Sequence, residues 1–247
     1  MNKQTGKPVI LVTRPTADAA ALLPELEARG LEVLLEPMLE INHLDGEAPD
    51  LDDVQAILFT SANGVRAYSA RGGLATLPAY AVGDATAEAA KSLGFRAVES
   101  ADGNVEDLIK LVAARCDSRK GTLLHAAGSK LAGALGQELA KAGFAYRREE
   151  LYSAEKAKTL SRHCSEALEA EKISFALFYS PRTAESFATL ATVEGVASKV
   201  DMVTAFCLSD AVASVLGDLS WRRLVVAPMP VQSALLAALD EQMECMR

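Results

Sequence analysis

The sequence lacks the basic clusters and the membrane-length apolar stretch that would indicate a nucleic-acid or membrane partner. Its 25 lysines and arginines are outnumbered by 33 aspartates and glutamates, so the net charge is −8, and no run of them could follow a phosphate backbone. Nowhere do eighteen apolar residues follow one another, and we expect no transmembrane helix. Residues 1–8 are polar. We therefore expect no targeting segment and a cytoplasmic location.

The sequence is also poor in cysteine and histidine, and those present are scattered. No C-x-x-C pair occurs, and none of the three histidines has a nearby Cys, Asp or Glu at metal-ligand spacing. We expect no metal site and reduced, mainly structural thiols at Cys116, Cys164, Cys207 and Cys245.

Several signatures of common enzyme classes are missing. The chain contains no G-x-G-x-x-G and no G-x-x-x-x-G-K-[ST], so nothing specific supports a dinucleotide or a nucleoside triphosphate. It contains no G-x-S-x-G elbow, which argues against a serine hydrolase of that type.

What is present is a regular alternation of short aliphatic runs and longer segments rich in alanine and leucine. The chain has 247 residues, of which 50% are apolar, and it can bury a sizeable core. The alternation predicts an α/β fold with parallel sheets, including a helix over 17–28 that ends at Gly30. The predicted strands cover residues 9–12, 31–35, 56–59, 79–82, 122–125, 175–178, 204–208 and 224–226.

The two halves of the sequence resemble one another. Three segments of the first half recur in the same order, 113 to 126 positions later. We infer an internal duplication, with chance similarity between two α/β halves as the alternative. The matched segments are 8–14 with 122–125, 58–61 with 177–180, and 82–87 with 208–213.

The turns that follow the predicted strands are rich in hydroxyl side chains. In open α/β sheets, ligands bind beyond the carboxyl ends of the strands, where helix N-termini present unpaired N–H groups. These turns either cap their helices only or, together with nearby basic residues, form a cleft for several anionic groups. The basic residues are Arg14, Arg66, Lys130 and Arg182.

Two short segments look like extended connectors between periodic units. Pro37 cannot continue a helix, and residues 149–152 are too short and too charged for a core strand. We predict connectors over 36–41 and 147–153, with an ordinary pair of loops as the alternative.

Six short motifs occur along the chain: Val-Thr-Arg-Pro (12–15), Phe-Thr-Ser-Ala-Asn-Gly-Val (59–65), Ala-Val-Gly-Asp-Ala-Thr-Ala (81–87), Leu-Tyr-Ser (151–153), Phe-Tyr-Ser-Pro (178–181) and Ala-Pro (227–228). In their order and spacing, these motifs resemble the uroporphyrinogen-III synthase family across nearly the whole chain. This resemblance implies two Rossmann-like or flavodoxin-like lobes with parallel sheets, joined by a two-stranded linker. Residues 1–36 and 170–247 would form one lobe, 42–147 the other, and 37–41 and 148–153 the linker strands.

The resemblance also implies a reaction. In this family, linear hydroxymethylbilane loses water, its last pyrrole ring is inverted, and the macrocycle closes as uroporphyrinogen III without a cofactor or metal. The expected protein is a monomer that binds a polycarboxylate linear tetrapyrrole and has transient contact with hydroxymethylbilane synthase. Tyr152 is the implied catalytic residue that assists departure of the hydroxyl. The implied substrate-binding groups are the hydroxyls of Ser61, Thr86 and Ser180, the backbone amides of Ala62, Asn63 and Ala85, and the Arg14 side chain.

One turn departs from the family pattern. Where Ile-Gly-x-x-Thr-Ala is usual, residues 208–213 read Leu-Ser-Asp-Ala-Val-Ala, so Val212 replaces a threonine and Ser209 replaces a glycine. This departure keeps an alternative open, namely a non-catalytic two-lobe binding protein for an anionic metabolite or tetrapyrrole. A regulatory or scaffold module is a third interpretation.

Overall fold

The computed structural model describes residues 6–130 and 134–245. The chain divides into two units. Unit 1 comprises Met1–Glu40 and Glu155–Arg247, and unit 2 comprises Ile41–Ala154. The predicted α/β class, with parallel sheets in two lobes, is confirmed.

Strands and helices alternate along most of the described chain. The strands are β1 (Val9–Val12), β2 (Glu32–Leu35), β3 (Leu39–His43), β4 (Val54–Phe59), β5 (Ala79–Ala81), β6 (Val98–Ser100), β7 (Thr122–Gly128), β8 (Tyr146–Lys156), β9 (Ile173–Phe178), β10 (Thr204–Cys207) and β11 (Arg223–Val226). The helices are α1 (Thr16–Ala19), α2 (Leu22–Ala28), α3 (Ala62–Ala70), α4 (Asp84–Ser92), α5 (Val105–Arg115), α6 (Leu135–Lys141), α7 (Arg162–Glu169), α8 (Pro181–Val193), α9 (Asp210–Leu216) and α10 (Gln232–Glu244), with a short 3-10 helix at Ala197–Met202.

Each unit is built on one sheet. The sheet of unit 1 has five strands in the order β11-β10-β9-β1-β2, all paired in parallel. The sheet of unit 2 has six strands in the order β3-β8-β7-β4-β5-β6, and its pairs from β8 to β6 are parallel. The carboxyl ends of the parallel strands therefore lie along one edge of each sheet.

The strand orders support the internal duplication inferred from the sequence. The matched segments place β1 opposite β7, β9 opposite β4, and β10 opposite β5. With these equivalences, β2-β1-β9-β10-β11 of unit 1 corresponds strand by strand to β8-β7-β4-β5-β6 of unit 2. Only β3 has no counterpart among the described strands.

Both faces of the unit 1 sheet are covered by helices. Alternate residues of β1 point to opposite faces, so Leu11 packs with α8 while Ile10 and Val12 pack with α2 and α10. On the first face Phe178 contacts Phe187 and Trp221 edge-on, with ring centroids 5.4 and 5.6 Å apart. Burial on two sides explains why the central strands β1, β9 and β10 are largely apolar.

The unit 2 sheet is covered in the same way. Phe59 packs edge-on against Tyr68 of α3 and against Phe95, while its neighbour Leu58 packs with α5 and α6 on the other face. Burying each large apolar side chain contributes about 1.5–3 kcal/mol to folding. These contacts hold α3 and α4 against the strands that precede them.

Gly64, in the first turn of α3, allows an unusually close contact between the helix and the sheet. A Cβ atom at this position would lie 2.5 Å from the carbonyl oxygen of Ala126 on β7. Backbone cannot move aside as a flexible side chain can, so the glycine lets α3 begin directly on the sheet.

Two local predictions from the sequence are wrong. The helix expected over 17–28 is two short helices, because Pro24 has no backbone N–H and its ring clashes with the preceding turn. Residues 149–152 belong to β8, an eleven-residue strand paired with β7. Its charged side chains are accommodated by ion pairs such as Arg71–Glu149 at 3.3 Å. The linker strand predicted over 37–41 overlaps β3, whereas β6 and α7 were not predicted from the sequence.

No helix in the described part of the chain combines the length and the apolar character that crossing a bilayer requires.

We expect Gly64→Ala to destabilise unit 2, although alanine normally favours a helix over glycine. The added methyl group must displace the backbone at Ala126, which we expect to lower the free energy of unfolding by about 1–3 kcal/mol. Gly83→Ser is the control, because Gly83 caps α4 in an extended conformation with no atom within 4 Å of an added Cβ. Equal stability of both variants in urea unfolding would contradict the close-contact explanation.

Candidate active site

The predicted site residues of unit 2 lie at the carboxyl edge of its sheet. Ser61 follows β4, Ala85 and Thr86 follow β5, and β4 and β5 are neighbours. Tyr152 lies on β8 opposite Gly128, the last residue of β7. Parallel pairing thus brings residues far apart in the sequence to one edge.

Tyr152 is held against its neighbours from two directions. Its hydroxyl oxygen lies 3.2 Å from Oγ of Ser61. A Cβ atom at Gly128 would lie 2.8 Å from Cζ of Tyr152, so the ring occupies space that only glycine leaves open. The side chain is half-buried. Its phenol is therefore oriented while part of its surface stays accessible.

Ser61 is the N-cap of α3. Its capping hydrogen bond engages the backbone N–H of Asn63, which is one of the amides predicted to bind substrate. Its Oγ accepts a hydrogen bond from the backbone N–H of Asn63 at 3.0 Å. The Asn63 side chain accepts from Arg66 at 2.6 Å. The hydroxyl hydrogen of Ser61 is left to donate to Tyr152 or to a ligand. Ala62 is the first residue of the helix and is half-buried.

The first turn of α4 differs from that of α3, because the N-cap of α4 is Gly83, which has no side chain to accept a hydrogen bond. Ala85 is exposed there, and the N–H groups of this turn give the helix end a partial positive charge. Thr86 is the third helical residue and is only 7% exposed. Thr86 is therefore less accessible to a ligand than its exposed neighbour Ala85.

The predicted site residues of unit 1 also lie at a carboxyl sheet edge. Arg14 follows β1, with its guanidinium carbon 4.3 Å from the centroid of the Tyr179 ring and Nη1 donating to Gln232 at 2.9 Å. Ser180 follows the neighbouring β9 and caps α8 by accepting from the backbone N–H of Thr183 at 3.2 Å. The structure thus brings Arg14 and Ser180 to adjacent strand ends.

The turn that departs from the family pattern follows β10. Val212 is the third residue of α9, as Thr86 is of α4, and it is 1% exposed within the core of unit 1. Ser209 is the N-cap but makes no side-chain cap hydrogen bond. Because the equivalent Thr86 is itself buried, the exchange of threonine for valine alters a packed position.

A cavity of about 120 Å³ lies beside Tyr152 at the carboxyl edge of the unit 2 sheet. His125, one of the residues that line it, was not predicted as a site residue. His125 on β7 is buried, with Nε2 3.0 Å from Oγ1 of Thr60 and Nδ1 2.7 Å from the hydroxyl of Tyr146. Arg148 of β8 also lines this space, which we call the His125 cavity. The available signal was the position of His125 at the end of a predicted strand.

Burial, and secondarily the positive charge of Arg148, lower the pKa of His125 to about 4. The imidazole is therefore neutral near pH 7, with one nitrogen donating and the other accepting. One neighbouring hydroxyl must donate to it and the other must accept from it. These bonds orient the side chains of Thr60 and Tyr146 on opposite sides of the ring.

Within residues 6–130 and 134–245, no group of three or more His, Cys, Asp or Glu side chains could hold a metal ion. The four cysteines, Cys116, Cys164, Cys207 and Cys245, are free thiols.

Comparisons with known proteins agree with one another. A family model described as Uroporphyrinogen-III synthase HemD matches residues 20–237. A uroporphyrinogen-III synthase of Chlorobaculum parvum is 43% identical over 58 residues, which span 23% of this chain and 24% of that relative. The matched segment thus covers about a quarter of that protein's length.

Solved structures resemble the fold over almost the whole chain. The uroporphyrinogen-III synthetase of Helicobacter pylori has a TM-score of 0.63 at 18% identity, covering 95% of this chain and 99% of its own. A mutant uroporphyrinogen III synthase of Thermus thermophilus has a TM-score of 0.54 at 17% identity, and the match covers 96% of this chain and 99% of that protein. At these identities the likeness establishes the fold.

Fold and site together define a two-lobed α/β protein whose strand ends carry hydroxyl groups and helix N-termini suited to anionic ligands. The family match extends over most of the sequence. The chain belongs to the uroporphyrinogen-III synthase family, the cyclising lyases of tetrapyrrole biosynthesis.

We expect the low pKa of His125 to make stability depend on pH. The unfolded chain binds a proton at His125 below about pH 6.5, whereas the folded chain binds it only near pH 4, so stability falls as the pH drops between these values. The loss attributable to His125 is on the order of 3 kcal/mol. His125→Gln should flatten this part of the curve in urea unfolding between pH 4 and 7. His43→Gln, at an exposed position, should leave the curve unchanged. Identical slopes for wild type and His125→Gln would contradict the assignment.

Proposed function

We propose that this chain is a uroporphyrinogen-III synthase, which converts hydroxymethylbilane to uroporphyrinogen III with loss of water and inversion of ring D. The observation that carries the proposal is the Tyr152–Ser61 pair at the carboxyl edge of the unit 2 sheet, in a chain that matches the family over residues 20–237. The relatives named above carry the same activity in their names.

The chemistry requires one proton and strict control of conformation. The C–O bond of the terminal hydroxymethyl group breaks, the oxygen leaves as water after taking up a proton, and the pyrrole nitrogen supplies the electron pair that stabilises the resulting cation. Ring D then attacks the cation through its substituted α-carbon, which gives a spiro intermediate. The bond from that carbon to the ring C methylene breaks, the methylene forms a new bond to the other α-carbon of ring D, and that carbon loses its proton. The bilane also closes without inversion on its own, so positioning of the substrate is the main catalytic effect.

Tyr152 is suited to assist the departing hydroxyl. Its phenol is oriented by the hydrogen bond with Ser61 and by the contact with Gly128, and it stays partly accessible. A general acid must lie within hydrogen-bond reach of the leaving oxygen, and a pre-oriented phenol meets that requirement with little loss of side-chain freedom. Either hydroxyl of this pair can be the donor. When Tyr152 donates its hydrogen to the ligand, Ser61 donates to Tyr152, and when Ser61 donates to the ligand, it accepts from Tyr152.

The substrate carboxylates are proposed to bind at strand ends of each unit. In unit 2 the amides of Ala62 and Ala85 and the hydroxyls of Ser61 and Thr86 take this role, and in unit 1 Arg14 and Ser180 do. The Asn63 amide contributes less than the sequence predicts, because Ser61 already accepts from it. Local donors of this kind attract an anion even though the whole chain carries a charge of −8.

We infer a cytoplasmic monomer, in a compartment that keeps its four cysteines reduced, and a transient contact with the hydroxymethylbilane synthase that supplies the unstable bilane.

Tyr152→Phe should lower the rate of isomer III formation at least about tenfold, because the general acid is lost while the ring and its packing remain. The assay generates hydroxymethylbilane in situ, oxidises the products and separates isomers I and III. Tyr80→Phe is the matched control, since Tyr80 is a buried tyrosine of β5 in the same unit. Both variants are compared with wild type by thermal unfolding.

An unchanged rate for a folded Tyr152→Phe would remove Tyr152 from the mechanism. Formation of isomer I alone by the folded wild-type protein would refute the proposed function and favour the non-catalytic binding protein.

A further inference from the structure

The His125 cavity shares Ser61 and Tyr152 with the site described above, and Arg148, His125 and the rest of its described lining have no role assigned so far. We propose that it is a subsite for a single carboxylate group, in which Arg148 supplies the charge. If the proposed function holds, the occupant is one acetate or propionate side chain of the tetrapyrrole.

The charge of the cavity selects an anion. Arg148 and Lys130 are the charged residues that line it, and none of its described lining residues is acidic. The other titratable groups facing His125 and the cavity are the phenols of Tyr146 and Tyr152. Arg148 is also paired with Glu150, which is not among the described lining residues, so the described lining itself carries two cations in a chain with a net charge of −8.

Arg148 has donors left for a ligand. Its side chain is 19% exposed, and it donates through Nη2 to the carbonyl oxygen of Gly128 and through Nη1 to the carboxylate of Glu150. A guanidinium carries five N–H groups in a planar fork, so two bonds leave three donors. Anchoring to Gly128 holds the fork at the end of β7, which reduces the entropy lost when a carboxylate binds.

The size of the cavity matches one small carboxylate. Its volume of about 120 Å³ equals the share of about four waters in the liquid, which is room for a carboxylate with one or two methylene groups. Ala127 and Leu135 supply apolar surface for the methylenes.

The polar side chains of His125, Thr60 and Tyr146, which line the cavity, are held in place before any ligand binds. His125 is bonded on both nitrogens, so Thr60 and Tyr146 are held in place rather than free to rotate. Gly136 has a similar role, because a Cβ there would lie 2.6 Å from Cε1 of the Tyr146 ring. A preorganised wall of this kind favours binding of one group in one orientation.

The first test uses sodium propionate as the probe and the three histidines as reporters, at constant ionic strength maintained with sodium chloride. We expect a saturable shift of the His125 imidazole resonances in NMR spectra, identified by their absence from His125→Gln. Arg148→Gln should lose the saturable shift. Arg147→Gln is the matched control, because Arg147 is the next residue of β8 and bonds to the carbonyl of Asp50. It should retain the shift.

The second test measures turnover. Arg148→Gln should raise KM for hydroxymethylbilane about tenfold and change kcat less than about threefold, as expected for lost uniform binding, while Arg147→Gln should change neither. No saturable shift in wild type, or the same shift in Arg148→Gln, would overturn the subsite. If the wild-type protein forms no isomer III, the proposed function fails, and the propionate titration still decides whether the subsite exists.

Discussion

Parallel hydrogen bonding between β4, β7 and β8 is the constraint on which the unit 2 site depends. It aligns three strand ends that are far apart in the sequence, and it sets Gly128 opposite Tyr152. The helix that follows β4 starts directly on β7 because Gly64 leaves room for the Ala126 carbonyl. A shift of one residue in this register would turn Tyr152 to the other face of the sheet. The orientation of the phenol is thus a consequence of backbone pairing.

The same edge of the sheet combines neutral and charged donors in a protein that is acidic as a whole. Helix N-termini and hydroxyls attract anions without adding charge, whereas Arg148, which is also paired with Glu150, is a charged donor. Burial of His125 keeps its ring neutral, and its two hydrogen bonds organise the hydroxyls around it. Rigid donors of this kind suit a reaction that depends on holding a flexible substrate in one conformation.

The two units share a strand order but have diverged in detail. Thr86 in α4 and Val212 in α9 occupy the same helical position, and both are buried. A cap of glycine in one turn and serine in the other alters how closely a ligand can approach the helix end. The two units thus share one scaffold, and different side chains give their strand edges different donors.

The α/β class, the parallel strands and the hydroxyl-rich turns followed from the sequence, because hydrophobic periodicity and helix capping are local properties. Ser61 and Ser180 were recognisable as caps for the same reason. The break between α1 and α2, which Pro24 imposes on the turn before it, was also local and was missed. Only the tertiary structure decided that a charged segment joins the sheet as β8, since its charges are neutralised by residues such as Arg71 from elsewhere in the unit. It also decided that His125, Thr60 and Tyr146 form one cluster. Such contacts join residues 21 and 65 positions apart, and their spacing in the sequence has no periodicity that reveals them.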